Sequence, residues 1–130
     1  MTQTTLFVCS ACRFSPNEKS RDGMSGGQHL IEQLKQALND KDLQNTIHIE
    51  PLRCMAACRQ PCNLSLAAPG KLTFIFSQVS PTDGAMSVAA FCQQYTACAD
   101  GRVPYRDRPV AVQKATAFVL PPLPVDAINV

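Results

Sequence analysis

The sequence predicts a mixed α/β (α+β) domain built as a β-α-β unit followed by a β-β-α unit. Three observations carry this. Thr5–Val8, Ile47–Ile49 and Leu72–Phe76 are short β-favouring runs. Leu30, Ile31, Leu34, Ala37 and Leu38 recur at helical spacing, as do Met86, Ala89, Ala90 and Ala97. Ala68-Pro69-Gly70-Lys71 is a turn signal between two strand-like segments. At 130 residues, with 45% apolar and 17% charged positions, the chain is long and apolar enough to bury a core of its own.

Thr5–Val8 reads as the first strand and leads straight into Cys9-Ser10-Ala11-Cys12. Arg13–Gly23 is a polar loop with Pro16, Asn17, Asp22 and Gly23 as breakers. The first helix is expected over about 25–39, then a second strand at Ile47-His48-Ile49 that Pro51 ends. Leu64 and Leu66 alternate with Asn63 and Ser65, giving the first arm of a hairpin whose second arm is Leu72–Phe76. Ser80-Pro81-Thr82-Asp83 looks like a helix start, with Ser80 as N-cap and Asp83 at the positive dipole end. That second helix runs to about Cys98, where Asp100-Gly101 stops it. A β-α-β crossover is right-handed and makes its two strands parallel. The expected architecture is therefore thioredoxin-like: a four-stranded mixed sheet with flanking helices. Pro104, Pro109, Pro121, Pro122 and Pro124 mark a Pro-rich C-terminal tail, with a short helix within 110–118. The expected organisation is a domain over 1–100 with an extension over 101–130 packed on it.

Several function classes drop out on composition. No apolar run approaches the roughly 20 residues of a membrane span. A net charge of +2 is too small to point to nucleic acid or an anionic membrane. Met1–Cys9 has no basic start and only a three-residue apolar run, so it does not read as a secretory signal. The expected compartment is the cytoplasm, where thiols stay reduced and seven cysteines suit metal ligation or redox chemistry better than disulfide staples.

The cysteines cluster. Cys9-x2-Cys12 follows the first strand, and Cys54-Met55-Ala56-Ala57-Cys58-Arg59-Gln60-Pro61-Cys62 follows the second. Loops that leave the carboxyl ends of parallel neighbours lie on one edge of the sheet. The topology is thus expected to bring Cys9, Cys12, Cys54 and Cys58 together. Four thiolates are the ligand set of a [2Fe–2S] cluster or a tetrahedral zinc, and cobalt suits the same donors. Cys62 is a further candidate ligand, a resolving thiol or a buried residue at the hairpin start. Cys92 and Cys98 read as small apolar residues. Arg13, Lys19, Arg21, Arg53 and Arg59 stand near the candidate ligands, where cations favour thiolates.

With these residues in place, the chain resembles the thioredoxin-like [2Fe–2S] ferredoxins, which include the small cluster subunit of respiratory complex I. Leu52-Arg53-Cys54-Met55-Ala56-Ala57-Cys58, the Pro-Gly hairpin, Asp100-Gly101-Arg102-Val103-Pro104-Tyr105-Arg106 and Pro121-Pro122-Leu123-Pro124 resemble the DUF1636 family more closely. That resemblance covers nearly the whole chain. It implies a thioredoxin-like fold, a cysteine-bound metal centre, and a link to cobalamin or metal homeostasis. The ferredoxins space their first two cysteines more widely than Cys9-x2-Cys12, and Cys62 is an addition.

Three functions compete. The first is a [2Fe–2S] one-electron carrier with a redox partner protein, which is not an enzyme in the strict sense. The second is a zinc or cobalt site in a structural module or a metallochaperone with a metal-trafficking partner. The third is a thiol-disulfide oxidoreductase in which Cys9 attacks, Cys12 resolves and Pro61 serves as the facing cis-proline. That third reading leaves Cys54 and Cys58 without a role. Phe74-Ile75-Phe76 fits a strand buried on both faces or a homodimer interface. His48 should turn away from the face of Ile47 and Ile49, and Gly23-x2-Gly26-Gly27 reads as a turn into the first helix rather than a phosphate loop.

Overall fold

The computed structural model describes residues 4–13, 17–53 and 62–122. β1 (Thr4–Cys9) is followed by a small ribbon of β2 (Ser20–Arg21) and β3 (Met24–Ser25), then by α1 (Gly26–Asp40) and β4 (Ile47–Leu52). β5 (Cys62–Ala67), β6 (Thr73–Val79), α2 (Ala85–Ala97), α3 (Val110–Ala115) and β7 (Thr116–Leu120) complete the order. The main sheet runs β4-β1-β5-β6-β7. β1 and β4 are parallel, and every other pairing is antiparallel. The β-α-β and β-β-α units with this strand order are the thioredoxin-like arrangement, extended by one edge strand.

Alternation sets the core. Leu6, Val8, Leu64, Leu66, Phe74 and Phe76 point to the helical side and are all buried. Leu30, Ile31, Leu34, Ala37 and Leu38 form the apolar stripe of α1 that meets them. Val88, Ala89, Phe91, Cys92 and Tyr95 do the same from α2. Phe74 is the hub: its ring lies 4.9 Å from Phe91 and 6.0 Å from Tyr95, both edge-on. Ile75 faces the other way and is half-buried, so the run Phe74-Ile75-Phe76 alternates instead of burying both faces.

Four boundaries differ from expectation, each for a local reason. Pro51 does not end β4, because β4 is the edge strand and Pro51 still aligns with Val8. α1 starts one residue later, with Ser25 as N-cap and a capping box to Gln28. α2 starts at Ala85: Ser80 Oγ accepts from the Thr82 and Asp83 N–H groups at 3.3 and 3.0 Å, forming a separate turn. The tail gives α3 and then β7, so the sheet has a fifth strand where four were expected.

The tail contacts β6 and α2, through Arg108 on Phe74 and through Gln94 Nε2 donating to Asp107 O. Arg108 places its guanidinium carbon 5.0 Å from the Phe74 ring centroid and 5.5 Å from that of Tyr105. Its Nε donates to Val103 O at 3.0 Å. Gly101 takes φ +74°, and a Cβ there would stand 2.6 Å from the Tyr95 ring.

Two buried acids set an alkaline limit. Burial pushes the Cys92 thiol up to about 12, and burial pushes the Tyr95 hydroxyl, which donates to Leu72 O at 2.7 Å, up to about 12. Both neutral forms are therefore favoured by the fold. Their contribution is complete below the unfolded thiol value, about 9, and is lost as pH rises toward 12. Urea midpoints should hold steady on this account up to about pH 9 and fall between 9 and 12. Cys92→Ala should make that fall shallower, and an unchanged slope would contradict the assignment.

Candidate functional site

β1 and β4 end side by side, with Cys9 aligned to Leu52. The Ser10 N–H donates to Leu52 O at 2.7 Å and its hydroxyl donates to the same oxygen at 3.1 Å. The Cys9–Cys12 loop and the chain beyond Leu52 therefore leave one edge of the sheet together. β5 runs back against β1 and begins at that same edge, with Val8 aligned to Leu64. Three segments thus meet there: the end of β1, the end of β4 and the start of β5.

α1 seats the first loop. The Gly27 N–H donates to Cys12 O at 3.1 Å, and Ser25 Oγ donates to Ser10 O. Gly27 approaches so closely that a Cβ would lie 2.0 Å from Cys9 O and 2.9 Å from Ser10 Cα. Gly26-Gly27 is indeed a way into the helix, but its second glycine is there for contact with the cysteine loop. A Gly before a helix gives no sequence signal that separates those uses.

Cys9, Cys12 and Cys62 are all fully buried. Cys12 is the middle of the three: its side chain is hydrogen-bonded both to Cys62 and to Cys9. The Asn63 N–H also donates to Cys12 Sγ at 3.3 Å, with Asn63 Nδ2 at 3.9 Å. As free thiols, this arrangement holds Cys12 well above the usual thiol range. The hydrogen bond with Cys62 is the main cause and burial adds to it, while the Asn63 N–H and Cys9 pull the other way. Cys54, Cys58, Arg59 and Pro61 lie outside the described residues, so the convergence expected of Cys54 and Cys58 falls there too. Among the described residues, no three His, Cys, Asp or Glu side chains are arranged to hold a metal ion. The donor chemistry still fits a soft metal: buried sulfurs at one sheet edge, with an N–H directed onto sulfur.

The remaining candidates fall as follows. Cys92 is in the core and Cys98 is half-buried at the end of α2. His48 is exposed and its Nε2 lies 2.8 Å from Glu50 Oε1. Arg21 is bound by Glu18 at 2.6 and 2.9 Å, whereas Lys19 and Arg53 are exposed. Cys62, a candidate ligand or resolving thiol from the sequence, does reach Cys12, and the Asn63 contact is the part that sequence reasoning missed. Its available signal was the hairpin itself, since a strand antiparallel to β1 must begin where β1 ends. Among the described residues, no helix is long and apolar enough to cross a membrane.

No curated protein matches this chain. Among the solved structures similar to it are two ferredoxins. One is a thioredoxin-like [2Fe–2S] ferredoxin from Aquifex aeolicus, at 19% identity and TM-score 0.49, covering 90% of this chain and 92% of that one. The other is the wild-type thioredoxin-like [2Fe–2S] ferredoxin from Aquifex aeolicus at 1.5 Å, at 21% identity and TM-score 0.49, covering 89% of this chain and 97% of that one. Residues 6–122 match DUF1636, a family described as of unknown function, from the first strand to the end of the described residues. This cysteine-rich, thioredoxin-like chain belongs to the DUF1636 family.

Proposed function

We propose that the protein binds a metal centre through cysteine, and that the centre is a [2Fe–2S] cluster serving one-electron transfer to a redox partner protein. The ligands in this reading are Cys9, Cys12, Cys54 and Cys58. One observation carries it: Cys9 and Cys12 are buried, mutually hydrogen-bonded thiols at the end of β1, directly beside the end of β4 from which the chain enters Cys54–Cys58. When bound, the cluster would supply one reversible electron step. The chain's own part is to exclude water from the sulfurs, hold the two loops in register through Ser10 and Leu52, and donate N–H to sulfur.

Thiol exchange is less well supported. A nucleophilic cysteine needs an accessible thiolate. Cys9, the attacking thiol of that reading, is fully buried. A zinc or cobalt site would use the same donors and would differ in holding no sulfide.

Ligand substitution tests the assignment. Apo protein is reconstituted anaerobically with ferrous iron and sulfide, and bound iron is measured after desalting. Cys9→Ser, Cys12→Ser, Cys54→Ser and Cys58→Ser should each lose most of the bound iron. Cys98→Ser, at the other end of the molecule, should keep it. Four serine variants that load like the parent would sink the assignment.

A further inference from the structure

Asn63 stands out because the core around it is apolar. It is 4% exposed, and only Thr4 shares its status as a buried polar residue among the described residues. An amide is costly to bury unless it is hydrogen-bonded. Its position explains where one of its bonds goes. The β1–β5 ladder stops at the Val8–Leu64 pair, and the β5–β6 ladder shifts register between Cys62 and Leu64. Opposite that shift, Gln78 takes φ +59°, in the left-handed region. Irregularities of this kind often re-aim a group beside a functional site. Here the group is the Asn63 N–H, which meets Cys12 Sγ at 3.3 Å, with the side-chain amide behind it at 3.9 Å.

We propose that Asn63 is a positioning residue whose side-chain amide, donating to Cys12 Sγ beside the backbone N–H, raises the reduction potential of the cysteine centre. This rests on the reading of Cys12 as a ligand. Reduction adds negative charge to the cluster and its sulfurs. A donor aimed at sulfur stabilises the reduced state more than the oxidised one and raises the potential. The burial of the donor in an apolar surround strengthens the effect.

The test uses the full chain reconstituted with iron and sulfide. Asn63→Leu keeps the approximate size and removes the side-chain donor, leaving the backbone N–H. Asn63→Asp keeps the shape and places an acceptor where the amide stood. Iron and sulfide content, circular dichroism and a mediated redox titration are recorded for each. The midpoint potential should fall in the order parent, Asn63→Leu, Asn63→Asp. The first step should be up to about tenfold in the one-electron equilibrium constant, or about 59 mV. Loaded variants with the parent's potential would overturn the proposal and leave the metal-binding reading intact. Variants that fold but load no cluster would overturn it as well, because Asn63 would then serve assembly. A parent protein that takes up no iron and sulfide would overturn the underlying reading and this proposal with it.

Discussion

Gly27→Ala is expected to unseat the Cys9–Cys12 loop and to abolish metal loading. The added methyl would sit 2.0 Å from Cys9 O and 2.9 Å from Ser10 backbone atoms. Neither neighbour is a flexible side chain, so helix and loop must separate. Overpacking of this sort costs about 1–3 kcal/mol, and a backbone clash belongs at the upper end. Separation also strains two anchors of the site, the Gly27 N–H to Cys12 O bond and the Ser25 hydroxyl to Ser10 O bond. Gly70→Ala is the control. Gly70 has φ +73° with nothing within 4 Å of its missing Cβ. That variant should lose only the left-handed backbone penalty, about 1–2 kcal/mol, and should load metal normally. Urea unfolding and bound iron report the two effects separately. A Gly27→Ala protein as stable and as well loaded as Gly70→Ala would contradict the close approach.

The second large effect is expected at Phe74. Its ring meets Phe76, Phe91, Tyr95 and the Arg108 guanidinium, so it joins β6, α2 and the tail. Truncation to Ala leaves a cavity in a fully buried place and costs about 3–5 kcal/mol. Domains of this size have about 5–15 kcal/mol in total. Phe74→Ala should therefore be marginally folded and lose the tail's attachment at the same time. Phe118, 66% exposed on β7, makes the comparison. Phe118→Ala should change stability by no more than about 0.5 kcal/mol. Thermal unfolding followed by circular dichroism distinguishes the two, and equal losses would refute the placement of the core.

Much of this fold was legible because its elements obey simple periods. The stripe from Leu30 to Leu38 and the alternation of Leu64 and Leu66 led directly to α1 and β5. The errors came where one local signal had two physical uses. Pro51 can break a strand or sit on an edge, and only the strand order reveals which. Ser80 can cap a helix or close a turn, and it closes a turn. The tail prolines read as breakers, yet Pro109 precedes α3 and Pro121 follows β7. The site was legible as far as the strand ends that carry Cys9 and the approach to Cys54. Cys62 was legible as a candidate there, but the approach of Asn63 to Cys12 was not, since it depends on how the hairpin returns to the same edge.

The proposed [2Fe–2S] centre is held by Cys9, Cys12, Cys54 and Cys58. Its most direct test is iron and acid-labile sulfide content of untagged protein purified without oxygen, with zinc and cobalt measured in the same sample. About two irons and two sulfides per chain are expected, with visible absorption that dithionite bleaches. Protein that holds neither iron nor sulfide, before and after anaerobic reconstitution, would contradict that proposal.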